Sequence, residues 1–298
     1  MLYSERKNGA KPRIKEDICH SMWRGIVSIL NTLESQNYFA ESFPEICPDS
    51  DVICGTDPYK IENVIEAYLD LKWPLQTHID GSWYGDKVPF VPSIEQVFDL
   101  LEFLFQKVSK STEYDYHSFF RHSHLTFDKH QGEQYFINEF NALFRIRGMI
   151  YEINEIGHVV KVLDEETKTL IQNIVSYKSG DIELDEMLKV ACQKISSYSF
   201  SERYHALEKL WDAWERLKNL YDIDKKQSTN IIISKFNENA VFSELIEKEM
   251  RQITEIGNTY RIRHSEPRQA TLSSHDQIDY LFHRCLATIN IILKRMLK

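Results

Sequence analysis

The sequence predicts a mainly α-helical protein in two domains: an N-terminal helical domain that ends in a β-hairpin, and a C-terminal antiparallel helical bundle. Three observations carry that expectation. Seven of the eight prolines lie in residues 1–92, and the eighth, Pro267, stands alone far downstream. Proline stops helices, so the front third should be broken and the remainder helical. Apolar residues then recur at helical spacing through most of residues 165–297. Between these regions lies one strand–turn–strand pattern. The expected domains are residues 1–163 and 164–298, each large enough for its own core.

Taken in order, residues 16–36 carry a stripe of Ile18, Met22, Ile26, Ile29 and Leu33, which predicts a helix. Residues 41–58 hold Pro44, Pro48, Gly55 and Pro58 and read as a loop. A short helix over 60–72 (Ile61, Val64, Ile65, Tyr68, Leu69) stops before Pro74, and the stretch to Pro92 is again irregular. Ser93 with Gln96 forms a capping box in front of Val97, Leu100, Leu101, Leu104, Phe105 and Val108. A further helix fits 133–146, with Phe136, Phe140, Leu143 and Phe144 inward. GMIYEI and HVVKVL flank Asn-Glu-Ile-Gly and predict a hairpin over 148–163. A helix feeding a hairpin is winged-helix-like at most, and a hairpin capping a helical bundle fits equally. Downstream, helices are expected near 165–178, 183–198, 202–222, 240–264 and 275–297. Leu207, Leu210, Trp211, Trp214, Leu217 and Tyr221 form one stripe, and Ile278, Phe282, Cys285, Ile289, Ile292 and Met296 another. Both are read as core faces.

Composition narrows the function classes. The 298 residues carry a net charge of −9 with 42% hydrophobic and 27% charged residues, an ordinary globular balance. That charge argues against coating duplex DNA through a broad basic face but leaves room for a small basic pocket. No apolar run reaches the length of a membrane span, and the opening MLYSERKNGAKPRIKEDI lacks a signal-peptide core. Five cysteines without a CxxC pair fit a reducing compartment, so the expected location is the cytoplasm, with no membrane partner. There is no GxxxxGK[ST], GxGxxG or GxSxG, so nucleotide hydrolysis, dinucleotide redox and α/β-hydrolase chemistry lose support, and no cofactor is expected.

The densest polar cluster is Gly257-Asn-Thr-Tyr-Arg-Ile-Arg-His-Ser-Glu-Pro-Arg268. The face Ile246, Met250, Ile253, Gly257, Tyr260 runs into His264, with Arg261, Arg263, Glu266 and Arg268 around it, where the helix must end ahead of Pro267. A histidine among guanidinium groups can exchange a proton near neutrality while the arginines hold a phosphate. Metal-free RNA cleavage needs such groups to take the 2′-OH proton, protonate the leaving oxygen and stabilise the phosphorane. The other reading is a histidine closing a helix, with arginines complementing the dipole and pairing with Glu266.

The segments EKLWDAWERLK (208–218), EIGNTYRIRHSE (255–266) and DYLFHR (279–284) resemble the C-terminal helical domain of AbiJ-type abortive-infection proteins. LYSERK (2–7) and the helix–hairpin near 133–163 resemble one of the N-terminal domains that precede that module. The resemblance implies a HEPN-like helical bundle behind a variable N-terminal domain, acting in antiphage defence. Many HEPN proteins are metal-independent ribonucleases whose arginine and histidine, with four to six residues between them, meet across a homodimer. Carried onto this chain, that implies Arg263 at the scissile phosphate, His264 as acid or base and Glu266 orienting one of them. Arg268 and His275 are the second pair, and Asn258 and Arg261 would contact RNA phosphate. Arg263 and His264 are adjacent, which departs from the family spacing; Arg268 and His275 keep it, and so do Arg13 and His20 in the N-terminal region. The expected partners are RNA, a second copy of the chain, and a phage or host trigger protein met by the N-terminal domain. HEPN domains also serve as non-catalytic modules that bind a protein or nucleic acid, which is the alternative function.

Other candidates rest on residue type alone. His117, His122, His124 and His130, with Asp115 and Asp128 nearby, are dense enough to bind zinc or nickel. His122 and His124 would share a strand face. Their spacing matches no recognised ligand motif, so solvated loop histidines are the expectation. Asp49, Asp51 and Asp57, alternating with Cys47 and Cys54, lack the pattern of a calcium loop and read as an acidic turn. Trp73, Trp83 and Tyr84 offer either a partner surface or satellite core.

Overall fold

The computed structural model describes residues 3–8, 12–81, 85–221, 224–260, 262 and 269–296. Among them are eleven helices and eight short strands, and the chain is 57% helix. It divides into two compact units, Met1–Val160 and Lys161–Lys298.

In the first unit, α1 (Tyr3–Asn8) is followed by α2 (His20–Ser35). The latter begins four residues later than its periodicity suggests. The preceding backbone is committed elsewhere: Ile14 and Lys15 donate to the Gly148 carbonyl, and Ile150 donates to that of Lys15. The buried face of α2 comprises Met22, Trp23, Ile26, Val27, Leu30 and Leu33, with Ile29 at its margin. The loop expected at 41–58 contains instead an antiparallel hairpin, β1 (Pro44–Ile46) and β2 (Ile53–Thr56). Its prolines are harmless because Pro44 opens a strand, Pro48 lies in the turn and Pro58 takes the first position of α3 (Pro58–Leu69), behind an Asp57 N-cap. The stretch after Pro74 likewise holds a small hairpin, β3 (His78–Asp80) with β4 (Lys87–Pro89).

Helix α4 (Ile94–Phe105) starts at the capping box read from Ser93 and Gln96. The longest hairpin follows, β5 (Lys110–His117) with β6 (His122–Asp128), and the sequence did not announce it. Strand β5 has no buried residue, so no apolar alternation marks it. Helix α5 (Lys129–Arg147) buries Phe136, Phe140 and Phe144. At Gly132 a Cβ would stand 2.6 Å from Ser109 Cα and Lys110 N, so this glycine lets the helix lie directly on the start of β5. The anticipated hairpin near 148–163 is present as β7 (Tyr151–Ile153) and β8 (Val159–Lys161).

The second unit is a set of helices: α6 (Glu165–Ser176), α7 (Ile182–Lys194), α8 (Phe200–Leu217), α9 (Lys225–Ser234), α10 (Ala240–Thr259) and α11 (His275–Met296). Helix α9 was not foreseen. The anticipated stripes of α8 and α11 are buried, except that Tyr221 is exposed beyond the end of α8 and Met296 is half-buried. Trp211 and Trp214 lie at the centre of one apolar cluster. A Cβ at Gly257 of α10 would come within 2.3 Å of the Trp211 indole, so the missing side chain is what admits the ring. The indole Nε1 then donates to the Ile253 carbonyl at 3.0 Å.

Candidate functional site

Of the residues singled out for phosphate chemistry, Arg261, Arg263, His264, Glu266 and Arg268 lie outside the described residues. Asn258 is exposed near the end of α10 and lines a cavity of about 580 Å³ with Lys218, Lys226, Arg251, Glu247 and Glu255. His275 begins α11, half-buried, with its ring edge-on to Phe200 at 5.5 Å. The flanks of the polar segment are both held at the end of α10. Ile262 is buried in the core, Ala270 N–H donates to the Thr259 carbonyl at 3.0 Å, and Gln269 Nε2 donates to that of Asn258 at 2.9 Å. The other well-spaced pair is engaged separately, Arg13 with Glu152 and His20 with the Thr77 carbonyl.

DYLFHR, the second distinctive segment, holds the unit together through Asp279. Its carboxylate receives the guanidinium of Arg203, which is completely buried, and Lys161 Nζ at 3.0 Å. Arg203 also donates to the Ile195 carbonyl at 2.6 Å, so α8, α11 and the end of α7 share one buried cation. Arg284 takes the Glu249 carboxylate through two nitrogens, at 2.7 and 3.0 Å. His283 opens toward a cavity of about 600 Å³ with Lys161, Asp164, Thr167 and Asp279 in its wall. The Thr167 hydroxyl donates to Asp164 at 2.8 Å, which leaves it to accept from His283 Nδ1 at 3.0 Å and fixes that tautomer. Burial works to raise the Asp164 carboxyl, but the Thr167 N–H and hydroxyl and nearby His283 bring it below the usual carboxylate range.

A third cluster, in the first unit, is the one composition undervalued. Cys47, His117, His122 and His124 bring one donor atom each to within 4.8 Å of one another. Cys47 comes from the β1–β2 turn and the three histidines from the tip of the β5–β6 hairpin. The hairpin register explains their convergence. Tyr114 pairs with His124 and His117 with His122, with a bulge between Tyr114 and Tyr116. One extra residue reverses the alternation, so His117 joins the face that carries His122, His124 and Tyr114. The bulged Asp115 has φ +46°, and its carboxylate reaches His124 Nδ1 at 3.3 Å.

Outward and inward nitrogens are thereby separated. His117 Nε2 faces Asp49 at 3.5 Å while its Nδ1 faces Cys47 Sγ at 3.5 Å. His124 Nε2 meets the Ser50 hydroxyl at 3.2 Å. Cys47 is fully buried and His124 nearly so. The Cys47 thiol is brought down to about 5, chiefly by hydrogen bonding to Ser50 against the opposing effect of burial, and further by His124, the Asp49 N–H and His117. Bonding to Cys47 in turn raises His124. The two cysteines of the second unit contrast with this: burial pushes Cys192 up to about 12 and Cys285 well above its ordinary value.

The anticipated pairing of His122 and His124 on one strand face is present, but His130 is exposed on α5 and apart from the cluster. The acidic-turn residues separate: Asp57 caps α3, Cys54 faces the Glu45 carbonyl, and only Cys47 and Asp49 reach the histidines. Trp73 is buried and donates to Glu34 at 2.9 Å, as satellite core; Trp83 and Tyr84 lie outside the described residues.

Two units, one of small hairpins around α2, α4 and α5 and one a helical set that includes Trp211 and Trp214 in its core, define a mainly α protein. The family profile of AbiJ N-terminal domain 4 matches residues 1–177, and the chain belongs to that family. The AbiJ domain indicates a role in abortive-infection defence. No curated protein and no solved structure matches the chain. Among the described residues no helix is long and apolar enough to cross a membrane.

Proposed function

We propose that this AbiJ-type chain is an abortive-infection effector whose C-terminal unit is a HEPN-like bundle acting as a metal-independent endoribonuclease. In this reading the N-terminal domain meets a phage or host cue. Two copies of the C-terminal unit then pool Arg263, His264, Glu266, Arg268 and His275 around an RNA phosphate. His264 takes the 2′-OH proton or protonates the leaving oxygen, and the arginines hold the charge that develops on phosphorus. The supporting observation is the anchoring of both flanks of the polar segment, through Ile262, Gln269 and Ala270, to the end of α10. Asn258 stands at that same helix end, in a cavity wall that includes Lys218, Lys226 and Arg251 as well as Glu247 and Glu255. A net charge of −9 makes a confined cationic slot, rather than a broad basic face, the place for an RNA backbone.

The test is RNA cleavage by the purified chain in magnesium-free buffer, with the new 3′ ends analysed. Cyclic-phosphate ends that disappear in His264→Ala and Arg263→Ala, with circular dichroism unchanged, are the expected result. If the wild type binds RNA or a protein partner, and neither it nor cells expressing it with phage present show RNA cleavage, the unit is a binding module instead.

A further inference from the structure

The geometry points to a zinc site in the N-terminal unit: Cys47, His117, His122 and His124 form a closed four-ligand centre that staples the β5–β6 hairpin to the β1–β2 turn. The ligands are side chains of one cluster, and they are the thiolate and imidazole donors that Zn²⁺ prefers. A tetrahedral zinc with ordinary Zn–N and Zn–S lengths sets its ligand atoms about 3.3–3.7 Å apart. The Cys47–His117 edge is already 3.5 Å, and the whole set spans no more than 4.8 Å, so small side-chain rotations close it.

Three further features separate a metal centre from a hydrogen-bonded cluster. First, His122 Nε2 is sealed from solvent and has no hydrogen-bond partner, a costly arrangement for an imidazole nitrogen that a bound metal would relieve. Second, His117 and His124 each turn one nitrogen to a carboxylate, Asp49 and Asp115, and the other inward. Carboxylates stand in that outer position at zinc centres generally, where they accept the ligand's second N–H and strengthen its inner nitrogen. Third, the hairpin needs the centre. β5 buries nothing and β6 buries only His124 and Leu125, and a two-stranded hairpin with so little core is marginal in water. Gly132 secures its base against α5, and the four ligands secure its tip.

With four protein ligands the centre keeps no open position, so its role is structural and independent of the ribonuclease reading. Phe120 stacks on His122 at 5.8 Å with rings 9° from parallel and shields that ligand.

Metal analysis of the full chain, purified without a metal-affinity step, tests the site. One zinc per chain is expected, falling to a small fraction in His122→Ala. Cobalt exchanged into the wild type should give the intense visible bands of a tetrahedral site and a thiolate charge-transfer band that Cys47→Ser removes. Hydrogen exchange should accelerate across residues 110–128 on zinc removal and stay unchanged across α8 and α11. Cys47 should resist alkylation until zinc is removed. A folded wild type that carries no metal and takes up neither zinc nor cobalt would overturn the proposal, whatever the variants do. A cobalt spectrum of octahedral type would overturn it equally.

Discussion

Both units of this chain bury an apolar core, but they differ in what that core must hold in place. Residues 161–298 bury a continuous apolar cluster from six helices, centred on Trp211 and Trp214. The described strands β1–β8, which lie in the first unit save for the last residue of β8, form four two-stranded hairpins. Such sheets need outside support, supplied here by the apolar faces of α2, α4 and α5 and by side-chain-to-backbone bonds: Asn37 to Thr56, Lys129 to the Val108 carbonyl, Asn141 to both backbone groups of Ile153. A helical core tolerates polar variation outside its seam, whereas a hairpin array depends on individual polar contacts. Damage should therefore be steep at few positions in the second unit and spread over many in the first.

The largest effect belongs to the seam. Trp211→Ala removes a buried indole and a hydrogen bond to α10, and should cost about 3–5 kcal/mol, read as a lower urea midpoint by far-UV circular dichroism. Next comes Asp279→Ala, which removes the carboxylate shared by buried Arg203 and by Lys161; losing a charge-assisted hydrogen bond of this kind should cost about 1–3 kcal/mol. Asp279→Asn should lie between that variant and the wild type. If both substitutions leave the midpoint unmoved, the DYLFHR segment is not holding the bundle through Asp279. Gly257→Ala, forced against the Trp211 ring, should cost about 1–3 kcal/mol by overpacking.

The same contrast decided what could be read from residues alone. Periodicity located α8, α10 and α11, because a helix with one apolar stripe writes its burial into the sequence. The capping box at Ser93 was equally legible, since it is a contact between residues three apart. Helix α9 was missed: KKQSTNIIIS carries its apolar residues as a run, without a stripe. The β5–β6 hairpin was missed because β5 buries nothing and β6 only His124 and Leu125, and the Cys47 cluster because Cys47 stands seventy residues before the first of its histidines, which a bulge aligns. The density of histidines was the available signal. What pointed elsewhere was the absence of regular ligand spacing, a test suited to sites within one loop and not to sites between two hairpins.

Smaller effects sharpen the comparison at helix starts. Ser93→Ala should cost about 1 kcal/mol through loss of its cap, and here the first unit behaves like any helical protein. The two aspartate caps differ more instructively. Asp128 of α5 is held below the carboxylate range chiefly by the Gln131 N–H, whereas Asp181 of α7 is held down chiefly by Arg216. In both cases the folded carboxyl is the stronger acid, so its contribution is complete above the unfolded value and fades as pH falls through the folded one. Replacement by asparagine keeps the cap and removes the titration. Each variant should therefore lag the wild type at pH 7 and draw level with it in acid. Salt distinguishes them: the Asp181→Asn difference at pH 7 should shrink between low and molar salt because an exposed ion pair is screened. The Asp128→Asn difference should persist, since a hydrogen bond to a backbone N–H within one turn needs no distant charge. Equal salt sensitivity in urea midpoints would mean that Arg216 adds nothing to the Asp181 cap.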